Sequence, residues 1–179
     1  IPAGASVLLN NEMDDFALKP GTPNAFGVMG YEANAPKSGK RMLSSMTPTF
    51  LESPQKVAVL GTPGGSRIIT MVLLGILGYD AGLEPQAVAA LPRFHHQWMP
   101  DLIEMETDAL SPGTQQTLEA MGHRFKVPGN AAQGGRGSSH VWGNLQTVEW
   151  DKTTNTLMGG SDPRNPVGAA KVVESAPSR

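Results

Sequence analysis

The sequence predicts an α+β fold, in which strands and helices mix without a regular βαβ repeat, and three observations carry that expectation. Short apolar or β-branched runs of strand length recur at 48–51, 56–60, 102–106, 124–127, 141–150 and 154–158, with at least two hairpin-like returns among them. Helix signals are confined to three windows, at 68–77, 86–91 and 111–122. Glycine and proline, 21 and 15 of the 179 residues, both exceed ordinary usage, so much of the chain is expected in turns and irregular loops.

Taken in order, residues 6–9 form a short apolar stretch that runs into Asn10-Asn11-Glu12-Met13-Asp14-Asp15-Phe16, where three carboxylates and two amides crowd together. Such residues cap turns through their own side chains, and they equally supply the two or three acceptors that a primary ammonium wants. A calcium site is another option, although the spacing is not that of an EF-hand loop. Residues 19–40 show neither helical nor strand period. A loop of that length is either a cover over a site or plain surface, and Phe26 and Tyr31 give this one apolar weight with which to close as a lid. Ser44 and Ser45 lead into the first strand, either as hydrogen-bonding filler or as paired hydroxyls for a carboxylate. With no Asp–His partner evident, neither reads as a nucleophile.

The stretch Gly61-Thr62-Pro63-Gly64-Gly65-Ser66-Arg67-Ile68-Ile69-Thr70 compresses a strand end, a glycine turn and a helix start into ten residues. Two adjacent glycines leave N–H groups bare at a helix N-terminus, where such groups lack intrahelical partners and the dipole favours negative charge. That is a cradle for a phosphate, a carboxylate or the oxyanion of an attacked acyl carbonyl, or else a tight turn with no ligand. The helix that follows is apolar all round and is expected to be buried. Pro85 suits the first turn of the second helix and Pro92 stops it, while Ser111 and Gly122 cap the third. His95-His96-Gln97-Trp98 invites a metal, yet neighbouring histidines diverge and no third ligand lies at a recognised spacing, so packing is favoured. Residues 130–139 read as a flexible glycine loop without the lysine of a P-loop, 159–164 as a turn cluster, and 171–179 as a tail outside the core.

Composition narrows the function classes. With 39% hydrophobic and 17% charged residues the chain is globular, and a net charge of -2 offers neither a basic field for nucleic acid nor an acidic tail. Zero cysteines rules out disulfides and cysteine-based zinc sites. The longest apolar run is too short to span a bilayer. The chain opens on Ile1-Pro2-Ala3-Gly4 without a Met or a signal peptide, so its true start is expected upstream or made by cleavage.

Five motifs occur together, at 8–16, 39–49, 61–69, 92–98 and 161–164, in an order and approximate spacing that resembles the small subunit of γ-glutamyltranspeptidase over residues 7–168. The resemblance implies an N-terminal-nucleophile hydrolase, a four-layer αββα sandwich completed by a separate large subunit. Residues 1–170 would be the small-subunit part of that single catalytic domain, with 171–179 as its tail. In such an enzyme the precursor cuts itself, and the new N-terminal Thr attacks a γ-glutamyl amide with its own α-amine as base, a group whose ordinary pKa of about 7.7–8.0 suits the task. The resemblance implies that Glu12 and Asp15, with Asn11 beside them, hold the substrate α-ammonium and that Ser44 and Ser45 contact its α-carboxylate. It makes Gly64 and Gly65 the oxyanion donors and Phe26 an aromatic gate on the lid, and it leaves His95 and His96 structural. The paired acids and the bare glycine amides are expected to face a common cavity. The catalytic Thr is absent from these 179 residues. No metal or cofactor is implied. The implied partners are the large subunit, a γ-glutamyl substrate such as glutathione, and an acceptor amine or water, in a periplasmic or secreted setting. Two alternatives stay open: a cephalosporin or glutaryl acylase or other amidase of the same fold, and a non-catalytic binding protein that retains the pocket.

Overall fold

A computed structural model describes residues 10–24, 28–98, 100–126 and 142–173. The chain divides into two compact units, Ile1–Met46 and Thr47–Arg179.

The second unit is α+β, as the sequence predicts. Its larger sheet is antiparallel, built from β1 (Thr49–Glu52), β2 (Lys56–Gly61), β6 (Gln146–Asp151) and β7 (Thr156–Ser161) in the order β1-β2-β6-β7. Both outer pairs are hairpins with side-chain-fixed turns. Ser53 Oγ accepts the Lys56 N–H at 3.0 Å in the first, and Asp151 Oδ1 accepts the N–H groups of Thr153 and Thr154 at 2.8 and 3.1 Å in the second. Alternation puts Ala58, Leu60, Thr147 and Glu149 on one face, where they are buried. Onto that face pack α1 (Ile68–Asp80) and α2 (Pro85–Ala90), giving a core of Leu60, Ile68, Val72, Val88 and Leu145.

The smaller sheet has the order β3-β4-β5, from β3 (Phe94–His95), β4 (Ile103–Met105) and β5 (Phe125–Lys126). Its β4 and β5 run parallel, joined through α3 (Pro112–Ala120), whose Ser111 cap accepts the Thr114 N–H at 3.1 Å. The two-residue β3 carries no sequence signal of its own and was not expected.

Two expectations are corrected. The first is that α1 is buried all round, whereas Ile69, Leu73 and Leu77 are 71%, 50% and 53% exposed. They recur every fourth residue, and a helix lying on one sheet covers only the opposite stripe, here Ile68, Met71, Val72 and Gly75. The second is that 159–164 form a turn cluster, whereas residues 159–161 complete β7, with Gly160 paired to Thr147 of β6. A Cβ at Gly160 would lie 2.2 Å from the Pro85 carbonyl oxygen, so the bare glycine lets α2 dock directly on the strand. The far sheet face, with Phe50, Val148, Trp150 and Leu157, remains partly exposed on this chain.

Beyond β7, buried charges join the ends of several elements. Arg93, 2% exposed, donates to Asp162 Oδ2 at 2.6 Å and to the carbonyls of Ala89 and Trp142. Asp162 Oδ2 also accepts the Leu145 N–H at 2.9 Å, in place of the Asp162 carbonyl that a regular ladder would use, while the Asp162 N–H still donates to the Leu145 carbonyl at 3.1 Å. This explains why β6 starts at Gln146, later than the sequence suggests. Arg164 bridges Asp162 and Glu106.

The first unit carries, among its described residues, two 3₁₀ turns, Glu12–Asp15 and Glu32–Asn34. The segment between them folds back on itself: Gly21 donates to the Gly30 carbonyl at 2.8 Å, and Pro23 forms an isolated bridge with Met29. Phe16 and Ala17 are buried beneath it.

Gly160→Ala should destabilise the assembled protein by at least about 1–3 kcal/mol, the cost of overpacking a close contact. Urea unfolding checks this, and an unchanged midpoint would mean that α2 does not sit on β7 as described.

Candidate active site

The glycine turn expected between β2 and α1 is present and uses backbone that only glycine adopts freely. Gly64 has φ 147° and Gly65 φ 58°, and a single 3₁₀ turn, Gly65–Arg67, leads into α1. Neither the 3₁₀ turn nor α1 has a side-chain cap. Among the described residues, no acceptor meets the N–H of Gly64 or Gly65. Bare donors at a helix start, with the dipole behind them, favour an anion or a developing oxyanion.

Groups from three other segments hold this turn, around Trp142 to Asn144, around His95 to Gln97, and on β4. Thr62 Oγ1 donates to the Pro63 carbonyl at 2.8 Å and accepts the Asn144 N–H at 2.9 Å. Ser66 donates to Gln97 Oε1 at 2.5 Å. Arg67 is bonded to Glu104 of β4, and its guanidinium lies 5.9 Å from the Trp142 ring centroid. Burial would raise the Glu104 pKa, but the bond to Arg67, with that charge and Lys126, holds it below its ordinary value. His95, 4% exposed, hydrogen-bonds through Nδ1 to Thr70 Oγ1 at 2.8 Å and through Nε2 to Gln97 Oε1 at 2.9 Å. The neighbouring His96 turns to Asp101, at 3.0 Å. The two histidines therefore diverge, and no metal-binding group of three or more His, Asp or Glu occurs among the described residues.

In the first unit, the acidic turn and the serine pair meet. Ser45 Oγ donates to Asp15 Oδ1 at 2.8 Å across 30 residues of sequence, and Asn34 Nδ2 donates to the Asp15 carbonyl at 2.7 Å. A cavity of about 200 Å³ lies there, lined by Asp14, Asp15, Lys19, Asn34 and Ser45 with Phe16. Most of the remaining lining is apolar, including Leu18, Val28, Met29 and Leu43, and the carboxylates, amide and hydroxyl set into it are groups that can meet both ends of an α-amino acid. Glu12 is half-buried and does not line the cavity, and its N–H donates to Asn10 Oδ1 at 3.2 Å. Asn11 and Ser44 are exposed, with Ser44 Oγ accepting the Met46 N–H at 3.4 Å. Phe26 lies outside the described residues, as do the glycine loop at 130–139 and the tail from 174.

Sequence reasoning missed Asn34 and the Ser66–Gln97–His95–Thr70 chain. Apart from the neighbours His95 and Gln97, their partners lie 19 to 31 residues away, beyond any local period, and only the adjacency of Ser66 to the glycines could have marked them.

Comparison with known proteins adds a second line. The family model described as Gamma-glutamyltranspeptidase matches residues 1–172. The glutathione hydrolase proenzyme of Escherichia coli strain K12 is 45% identical over 168 residues, covering 92% of this chain and 27% of that protein. The protein of the same name from Pseudomonas sp. strain A14 is 52% identical over 127 residues, covering 70% and 22%. A solved mutant of gamma-glutamyltranspeptidase from Pseudomonas nitroreducens is 40% identical, with a TM-score of 0.76 and coverage of 98% of this chain and 86% of that one. This chain thus spans about a quarter of the length of these two curated relatives.

The environment of His95 predicts a pH dependence. Burial lowers its pKa; the bond to Gln97 and the charge of Glu104 oppose this, while Arg67 and His96 reinforce it. Its contribution to stability is therefore full above the ordinary histidine pKa of about 6.5 and is lost as pH falls through the lower folded value. His95→Gln should flatten the decline in urea midpoint between about pH 7 and pH 5; an identical slope in both proteins would place the titrating group elsewhere.

Proposed function

This chain belongs to the gamma-glutamyltranspeptidase family, and on that premise we propose that it is the small-subunit part of an enzyme that cleaves γ-glutamyl amides such as glutathione. The observation that carries the substrate class is the Ser45–Asp15 hydrogen bond, which gathers a carboxylate and a hydroxyl beside one small cavity. Asp15, with Glu12 and Asn11 nearby in the chain, receives the α-ammonium. Ser44 and Ser45 meet the α-carboxylate. The N–H groups of Gly64 and Gly65 steady the oxyanion, and Phe26 gates the lid formed by residues 20–40. A glutaryl acyl group has no α-ammonium for Asp15, so these residues favour the glutamyl head group over it.

In the proposed reaction an N-terminal Thr supplied by the rest of the protein attacks the γ-carbonyl. Its hydroxyl proton passes through the threonine α-amine to the departing amine, leaving a γ-glutamyl ester. An acceptor amine or water then displaces the threonine oxygen, which recovers its proton. The same oxyanion forms twice, once in each half of the reaction.

The proposed partner is the large subunit of the same precursor, consistent with the word proenzyme in the relatives' names. Two apolar faces support it, one on α1 at Ile69, Leu73 and Leu77 and one on the sheet at Phe50, Val148, Trp150 and Leu157. The four-layer sandwich, with residues 1–170 as one contribution and 171–179 as a tail, would be completed by that subunit. Among the described residues no helix is long and apolar enough to cross a membrane. A periplasmic or secreted location is the setting we assign.

Two substitutions in the matured two-chain protein test these roles. Asp15→Ala should weaken γ-glutamyl binding by about 1.5–3 kcal/mol, one charge-assisted contact. Turnover of a γ-glutamyl anilide and of its glutaryl counterpart measures this: the loss should be confined to the former, and equal rates on both would point to an acylase. Gly65→Val should lower kcat by about 10²–10³, the worth of one oxyanion donor. Normal turnover in that variant would remove the oxyanion role from this turn.

A further inference from the structure

Two consecutive glycines with positive φ make a turn whose own backbone supplies the bond from the Arg67 N–H to the Gly64 carbonyl at 3.1 Å, and no side chain caps the helix it opens. Further restraint on its bare donors comes from outside. On one side Thr62 is locked to Asn144. On the other, Ser66 and Thr70 stand four residues apart on the helical start, and both reach residues of the segment around β3. Ser66 bonds Gln97, Gln97 bonds His95, and His95 bonds Thr70, so that three hydrogen bonds link four side chains into a ring closed by the helical backbone between Ser66 and Thr70.

With Gln97 Oε1 as the shared acceptor, the direction of each of the three bonds follows. A carbonyl oxygen only accepts, so Gln97 Oε1 takes a proton from Ser66 Oγ and another from His95 Nε2. With the proton on Nε2, a neutral imidazole accepts at Nδ1, and Thr70 Oγ1 must donate. One tautomer of a neutral histidine satisfies all three contacts. The imidazole is buried, so water does not compete for them.

We infer that His95 is a positioning residue for the oxyanion donors, holding Ser66 through Gln97 and with it the adjoining Gly65 N–H in a single orientation. His95 does not touch the reacting atoms in this account; it fixes the peptide that does. The inference rests on the oxyanion role proposed above for Gly64 and Gly65. Because an oxyanion forms in both acylation and deacylation, a loosened turn slows both steps together, so kcat falls while KM is spared.

The test uses the matured two-chain enzyme and a γ-glutamyl anilide. Ser66→Ala and His95→Asn should each lower kcat by about 10- to 100-fold, the scale of a misplaced catalytic group, with KM changed less than about twofold. Ser66→Thr, which keeps the hydroxyl, should recover most of the rate. The double variant should be no slower than the worse single one, because both break the same ring. If His95→Asn does not mature, Gln97→Leu takes its place in the cycle. Losses that multiply, losses that fall on KM, or normal turnover in Ser66→Ala overturn the inference. Failure of the underlying oxyanion role is distinguishable, since only then does Gly65→Val also turn over normally.

Discussion

The buried pair of Arg93 and Asp162 is the constraint on which the second unit depends. Asp162 is 1% exposed and Arg93 2%, and charges so deeply placed are tolerable only when they are paired and hydrogen-bonded. Here they do so by reaching separate parts of the chain: the end of α2 at Ala89, the approach to β6 at Trp142 and Leu145, and Arg164 beyond β7. Two of the anchored segments flank the glycine turn. Arg93 immediately precedes β3, which carries His95 and leads to Gln97, and the Trp142–Leu145 stretch brings Trp142 to Arg67 and Asn144 to Thr62. A salt bridge remote from the bare amides thus fixes the positions of the residues that buttress them.

Much of this architecture was legible in the sequence because its signals are local. Pro85, Ser111 and Gly122 mark helix ends by mechanisms acting within one turn, and the structure places α2 and α3 there. The glycine turn was legible for the same reason. What escaped was decided across the fold. Gly159 and Gly160 look like turn residues until the backbone of α2 is seen pressing on β7, and β3 is too short for any period to show. An apolar sequence could not reveal that α1 has one uncovered stripe, because hydrophobicity all round does not say which side the sheet covers.

The candidate site divides in the same way. That Asp15 and Ser45 belong together was suggested by their types and by family resemblance, and the first unit brings their side chains into contact over a separation no local rule spans. Glu12 and Ser44, equally well marked by sequence, do not enter that contact. Residue type and spacing identified candidates; only the fold sorted them by distance.

The open apolar faces of the helix and the sheet bear on how such a protein must be made. Released alone, a chain with these faces would offer sticky surface and a strand-rich edge to any other copy it met, a route to aggregation. The large subunit proposed above, if synthesised on the same polypeptide, would arrive at an effective concentration on the order of millimolar, far above that of stray encounters. Tethering during folding and severance afterwards would then be a solution to a solubility problem as well as a way of unmasking an amine.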